Sequence, residues 1–414
     1  MMNSKYVPKR RFKEFELDDE WEQLKLGDYA NILTGGTPNT SISSYWEPKE
    51  IPWMSSGEVN KRRLDKTDNM ISNDGIRNSS ARWVKKHSIL IALAGQGKTR
   101  GMVAVNNIPL TTNQSVAAIE PDKTLNYEFV FQNLSKRYDE LRLISSGDGS
   151  RGGLNKQIVS DISIACPNVN EQELIGNFLA DFDSLITMNQ HKLDKLKNLK
   201  KAYLSEMFPA EGERVPKRRF PGFEGEWEIK KLKELTEYRR GSFPQPYGKS
   251  EWYGGSGSMP FVQVVDVLSN LKLAETTKQQ ISKLAQNHSV FVPQGTVVIT
   301  LQGSIGRVAI TQYDSYVDRT LLIFEKFLFP TDIYYWALSI QQKFDIESKK
   351  APGGTIKTIT KEALSEFEIF LPTLDEQKQI GSFFQQLDKS ISLQQQKLDK
   401  LNDLKKAYLN ELFV

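Results

Sequence analysis

Few residues in this chain could do chemistry by type and spacing. Residues 92–99 read ALAGQGKT, which fits a relaxed phosphate-loop pattern of Ala or Gly, four residues, then Gly-Lys-Thr. A phosphate loop joins a strand to a helix whose first N–H groups point at the phosphates. Here the sequel is RGMVAV, β-branched and strand-like, and the corresponding turn LQGSIGR at 301–307 has no Lys-Thr. A β-hairpin turn carrying basic residues is the better reading. A stand-alone ATPase would instead lose hydrolysis on Lys98→Ala. Amino-methyl transfer needs an Asn/Asp-Pro-Pro-aromatic segment, and none of the 17 prolines is followed by another. Asp332 with Glu347 and Lys349, and Asp122 after Pro121, lie in helix-periodic sequence, whereas a nuclease needs carboxylates converging from a sheet edge. His87, His191 and His288 make no metal or Ser-His pattern. Cys166 aligns with Leu371 in an internal repeat and reads as a small packed residue. No catalytic or metal-binding constellation emerges.

What remains is binding chemistry, carried on a chain written twice. The segment 167–208, PNVNEQELIGNFLADFDSLITMNQHKLDKLKNLKKAYLSEMF, returns 205 residues later (372 against 167) with about half its positions identical. VPKRRF at 7–12 returns at 215–220, and each copy leads to a tryptophan, Trp21 or Trp227. The 414 residues, between two and three domains by length alone, thus resolve into two units of about 205 residues. Composition is that of a globular protein, 39% hydrophobic and 26% charged. No apolar run spans a bilayer, and the basic N-terminus has no apolar stretch behind it. One cysteine excludes a disulfide framework and suggests a cytoplasmic location. Net charge is only +4, so the placement of basic residues matters more than their total.

The middles of the units differ in sequence but agree in order. Residues 83–105 and 291–310 read as strand, glycine turn, strand, followed by the apolar strands NQSVAAI at 113–119 and DRTLLIF at 318–324. An amphipathic helix follows near 124–143 or 331–348, then a Gly-rich loop, a short helix and a closing strand. This implies an α+β fold with two tandem domains of mostly antiparallel curled sheet. The closing segments are long helices. Phe182, Ile186, Asn189, Leu193, Leu196, Lys200, Tyr203 and Met207 step by fours and threes, as do Leu387, Ile391, Gln394, Leu398, Leu401, Lys405, Tyr408 and Leu412. That is a coiled-coil seam, with Leu199 and Leu404 expected to widen it. The helices are expected to cover one another as an antiparallel pair, and the lysines at 192–201 to form a solvated face. The expected organisation is 1–165 and 210–371 as readers, with helical spacers at 166–209 and 372–414.

Loops rich in Gly, Ser, Thr, Gln, Arg and Lys carry the candidate nucleic-acid contacts: 34–41, 55–63, 95–101 and 145–153, then 239–258, 302–307 and 349–357. Arg and Gln suit base edges, and Lys, Ser, Thr and backbone N–H groups suit phosphates. The main candidates are Lys98, Arg100 and Arg151 in the first unit, and Arg239, Arg240, Arg307 and Lys357 in the second. Thr37, Gln96, Gln263, Gln302 and Ser304 are secondary candidates. Leu193, Leu196, Tyr203, Leu398, Leu401 and Tyr408 are structural seam positions. A spacer helix of ~27 residues would span ~40 Å, comparable to one ~34 Å turn of duplex. Because the middles differ, the two half-sites should differ too. A coiled-coil scaffold with sequence-blind DNA binding is the competing reading; it predicts affinity that falls steeply with salt and no preferred sequence.

Four stretches carry a family resemblance: LTGGTPNTSISSYWEPKEIPWMSSGEV at 33–59, ALAGQGKTRGMVAV at 92–105, SRGGLNKQIVSDISIACPNVNEQELIG at 150–176, and the duplicated DEQ…LDKL…LKKAYL helices. With these the whole chain resembles the specificity (HsdS) subunits of type I restriction–modification systems. The resemblance implies two target-recognition domains, antiparallel helical spacers and double-stranded DNA as ligand. It implies two methyltransferase subunits as partners, carrying S-adenosylmethionine, with restriction subunits using ATP and Mg joining them. The chain itself would be non-catalytic and hold no cofactor. One departure is local: His87-Ser88 stands where that family shows a Gly-Asp-like turn, which Gly295-Thr296 retains.

Overall fold

The structure, a computed structural model, describes residues 6–94, 99–144, 153–350, 359 and 361–414. The chain divides into two compact units, one of residues 1–190 with 396–414 and one of 191–395. Each contains a part of both long helices, Val169–Glu206 and Leu374–Leu412.

The first unit holds a five-stranded sheet in the order Ala30–Thr34, Val116–Pro121, Ile89–Ala92, Val103–Asn106, Arg63–Leu64. A four-stranded sheet orders Asn69–Ile71, Ile51–Met54, Leu110–Thr112, Trp83–Val84. A two-stranded ribbon pairs Glu22–Lys25 with Ser163–Cys166. The central strands are apolar on both faces because both are covered: Ile89, Ile91, Ala117 and Ile119 join one buried cluster, Leu90, Ala92, Val116 and Ala118 another. Most pairings are antiparallel, with Arg63–Leu64 on Val103–Asn106 and Ile51–Met54 on Leu110–Thr112 parallel. The second unit repeats this strand for strand. Its five-stranded sheet runs Thr236–Arg240, Leu321–Phe327, Val297–Thr300, Val308–Ile310, Leu271–Lys272. The helix read near 124–143 breaks at Arg137 into Tyr127–Lys136 and Tyr138–Leu143, while its counterpart Ile333–Lys350 is continuous.

The turn before the second sheet strand explains the departure noted above. His87 has φ +66° and Gly295 φ +89°, both left-handed. Each also donates its backbone N–H across the turn, to Asn106 O or Thr311 O at 2.8 Å. His87 stacks flat on Tyr127 at 4.4 Å, a contact that offsets strain glycine would not incur. Burial, and then Lys86, lower its pKa.

The long helices have 38 and 39 residues, not ~27. They begin directly after the closing strands because Asn168 Oδ1 caps Glu171 N at 3.0 Å, and Thr373 Oγ1 caps Glu376 N at 3.4 Å. At 1.5 Å per residue each is ~57 Å long, so helix length alone does not match one duplex turn. Within each unit the two helices pair antiparallel. In the first, Phe178 meets Tyr408 (5.0 Å) and Asp183 meets Lys405 (2.5 Å). In the second, Lys200 meets Asp388 (2.6 Å) and Tyr203 meets Phe383 (5.0 Å). Leu193 and Leu398 are buried, and Leu196, Leu401, Tyr203 and Tyr408 half-buried. Leu199 and Leu404 are exposed, so they do not widen the seam; they fall on its outer flank, one residue short of the ion-paired Lys200 and Lys405.

The duplicated KRRF segments are staples onto these helices. Arg11 grips Glu171 with Nε and Nη2 (2.9 and 2.6 Å), and Arg219 grips Glu376 in the same way (2.7 and 2.8 Å). Both glutamates are fully buried. Arg10 pairs with Glu411 and lies over Tyr408; Arg218 pairs with Glu206 and lies over Tyr203. Phe12 and Phe220 pack edge-on against Phe178 and Phe383. Gly176 and Gly381 let the helix approach a neighbouring helix start: a Cβ at 176 would lie 3.0 Å from Phe129 N, and one at 381 would lie 2.2 Å from Asp332 Oδ1.

Candidate nucleic-acid interface

Antiparallel strands alternate in direction, so their connections collect at two ends of a sheet. In the first unit, Thr34, Ala92 and the starts of Val103–Asn106 and Val116–Pro121 share one end. Asn113 N donates to Met54 O (2.9 Å), bringing the end of Ile51–Met54 there as well. Leu154 N donates to Leu93 O (3.0 Å), which brings in the exit from 145–152. Residues 35–41, 55–58, 93–94, 99–102 and 113–115 therefore gather at one end. The second unit gathers 241–249, 263–266, 301–307 and 318–320 alike, with Asp318 N on Val262 O (3.0 Å) and Leu301 N on Thr320 O (2.8 Å). Strand topology thus brings separated polar loops together without any one being distinctive in sequence.

Gln96, Lys98, Arg151 and Lys357 lie outside the described residues. The strands flanking 95–98 speak against a phosphate loop: Ile91 pairs antiparallel with Val103, so the next element among the described residues is a strand and not a helix. Arg100, half-buried, donates to Arg142 O at 2.8 Å. Thr37 donates to Gln114 Oε1 at 2.6 Å. Arg239 pairs with Glu325 at 3.1 Å, and Arg240 is exposed beside a cleft of about 270 Å³ that Leu301 and Ile359 also line. Gln302, Ser304 and Arg307 are exposed, with Arg307 Nη1 at 3.4 Å from Val267 O. Gln263 Nε2 donates to the Tyr247 hydroxyl at 2.8 Å. Burial, then the neighbouring Asp318, push the Tyr247 phenol up to about 12. It therefore stays protonated and can donate toward Asp318 Oδ2 (3.5 Å).

The two arginines that end loop 55–63 turn toward the helix packing, while Lys61 is exposed. Arg63 forks onto Glu128 (3.0 and 2.6 Å), and Arg62 reaches Asp183 (3.7 Å). Both lie over Phe131. These arginines neutralise buried carboxylates at the helix packing. Gln114, Arg319, Asn113, Asp318 and Tyr247 also stand at these loop ends, and none is distinctive in the sequence. NQS and DRT open apolar, strand-like segments, although Asn and Asp two residues before Ser or Thr are a turn signature.

Cys166 is buried, which pushes its thiol up to about 12, and it is no nucleophile in this state. Among the described residues no cluster of three His, Cys, Asp or Glu could hold a metal, and no helix is long and apolar enough to cross a membrane.

A family model described as type I restriction modification DNA specificity domain matches residues 18–198 and again 224–403. The chain belongs to this family. It is a type I specificity subunit, the part that recognises DNA sequence, and not a catalytic one. Its relatives include the MjaVIII specificity subunit of Methanocaldococcus jannaschii, 22% identical over 98% of this chain and 96% of the relative. The EcoR124I/EcoR124II specificity subunit of Escherichia coli is 28% identical over 42% of this chain, and that match spans 43% of the relative. A type I S subunit from M. genitalium has the same fold at a TM-score of 0.65, with 14% identity and 99% of both chains covered. As a specificity subunit, the chain acts on DNA with other subunits of its restriction–modification complex.

Proposed function

We propose that this subunit reads an asymmetric bipartite duplex site, one half per unit, and directs methyltransferase and restriction subunits to it. The recognition domains would be 1–165 and 210–371, and the helical spacers 166–209 and 372–414. The observation that carries this reading is the recurrence of one loop-bearing end in both units with different side chains on it. Equal strand frameworks with unlike side chains on their loops suit unlike half-sites. Lys98, Arg100, Arg151, Arg239, Arg240, Arg307 and Lys357 would hold phosphates or base edges there, with Thr37, Gln96, Gln263, Gln302 and Ser304 supporting them. The seam residues Leu193, Leu196, Tyr203, Leu398, Leu401 and Tyr408 would set the spacing. Two modification subunits would carry S-adenosylmethionine and the restriction subunits ATP and Mg, all in the cytoplasm, while this chain binds no cofactor.

Methylome sequencing of cells with and without the chain tests the proposal. Adenine marks should appear at one two-part motif only when the chain is present. Exchanging residues 1–165 for those of a relative should alter one half of that motif. DNA binding by the assembled complex that shows no sequence preference would overturn it.

A further inference from the structure

The turn before the longest sheet strand has the same backbone hydrogen bonding in both units while its outward side chain differs. Asn113 Oδ1 accepts from Ser115 N at 3.1 Å; Asp318 Oδ1 accepts from Thr320 N at 2.9 Å and from Thr320 Oγ1 at 2.5 Å. Each is an Asx turn, which locks the backbone and leaves its middle residue pointing away from it. That residue is Gln114 in the first unit and Arg319 in the second, and both are exposed.

The turn lies among the other loops. Leu93 N and Leu301 N bond to Ser115 O and Thr320 O, tying the hairpin turn to one side. On the other side, Gly36 N donates to Thr112 O and Ser242 N to Val317 O. Glycine is required there: a Cβ at 35 would lie 2.0 Å from Thr112 O, and one at 241 would lie 2.2 Å from Val317 O. The first loop is thereby laid directly on the strand that leads into the turn.

Both side chains are also held. Thr37 donates to Gln114 Oε1, which fixes the amide plane and leaves both Nε2 hydrogens and an Oε1 lone pair for a ligand. The Arg319 guanidinium sits 5.6 Å from the Tyr247 ring centroid and forms no ion pair with another described residue, whereas Arg239 is paired with Glu325.

We propose that Gln114 and Arg319 are the specificity-determining side chains of the two units, Gln114 selecting adenine in one half-site and Arg319 guanine in the other. A fixed carboxamide offers one donor and one acceptor, the complement of adenine N7 and N6; a guanidinium offers two donors, the complement of guanine O6 and N7. Thr37 and Tyr247 are positioning residues. The assignment rests on the reading of these loop ends as the DNA-facing surface.

The test is selection from a randomised duplex library by the full chain assembled with its methyltransferase subunits. Arg319→Ala should reduce the preference for guanine at one position of one half-site by about tenfold or more, leaving the other half unchanged. Gln114→Ala should relax an adenine in the other half. Arg319→Lys keeps the charge and loses the fork, so it should lose guanine preference while retaining most affinity. Arg319→Gln should move the preference at that position toward adenine. A wild-type motif that every variant retains would overturn the assignment, as would a uniform loss of affinity across all sequences, the mark of a phosphate contact. A wild-type complex that selects no motif would instead overturn the DNA-reading proposal beneath it.

Discussion

The two units keep their interiors and exchange their edges. Arg11 on Glu171 and Arg219 on Glu376 are the same bidentate grip, and Asp183 on Lys405 and Asp388 on Lys200 are the same interhelical pair. At the loop ends Thr37 stands against Phe243, Gln114 against Arg319, and Ser55 against Gln263, on a common backbone. Burial explains the difference. A buried charge that loses its partner is strongly destabilising, so both halves of each pair must persist together. An exposed side chain on a fixed turn can change without touching the fold.

The interior copies are similar but not equal, and this can be pressed experimentally. Glu376 accepts from Trp227 Nε1 (3.2 Å) as well as from Arg219, while Trp21 Nε1 has no acceptor among the described residues. Glu376→Ala should destabilise the second unit by about 3–5 kcal/mol. Glu171→Ala should cost the first unit less. Hydrogen exchange resolved by segment reads both; equal losses would mean that the indole contributes nothing.

The interhelical pairs come next. Asp183 also takes Gln132 Nε2 at 2.7 Å and lies within 3.7 Å of Arg62, whereas Asp388 has Lys200 and the Tyr334 hydroxyl (2.6 Å). Asp183→Asn leaves Lys405 buried among arginines and should cost about 2–3 kcal/mol in urea unfolding, exceeding the cost of Asp388→Asn.

The paired glycines differ in tolerance. Gly381→Ala would press on the Asp332 carboxylate that caps the neighbouring helix, and should cost about 1–3 kcal/mol in thermal unfolding. Gly176→Ala meets Phe129 N at 3.0 Å and Asn126 Oδ1 at 3.1 Å, a tight fit but one that needs shifts of only tenths of an ångström, and it gains helix propensity, so it should cost less than Gly381→Ala.

The smallest expected effect is in acid. Burial pushes the Asp183 carboxyl up, but the charges of Lys405 and Arg62 and the hydrogen bonds from Lys405 and Gln132 outweigh it and leave the pKa lowered. A lowered folded-state value contributes stability that is complete above the unfolded-state value of about 3.9 and is lost as pH falls through the folded value. Wild type should therefore lose stability below about pH 4 more steeply than Asp183→Asn, as acid titration of the unfolding midpoint would show.

The repeat, the succession of strands and helices along the chain and the helix seam are legible because each depends on local periodicity. Lys200 and Lys405 even fell on the seam by spacing, where they prove to be ion-paired. Leu199 and Leu404 were misplaced because a heptad marks which residues could face a partner, without saying how wide the covered stripe is. The inward turn of Arg62 and Arg63 is not legible in the sequence, because the basic loop 55–63 reads the same whether its side chains point to water or to Glu128 and Asp183.

By itself the sequence determined that there are two units, that each has one sheet-rich body with helical ends, and that no catalytic group recurs. These follow from repetition and alternation along the chain. Only the tertiary structure decided which polar residues meet. Thr37 and Gln114 are 77 residues apart, and Tyr247 and Asp318 are 71 apart. Strand order, which no local pattern encodes, brings each pair to a common sheet end and turns one side chain of the turn outward.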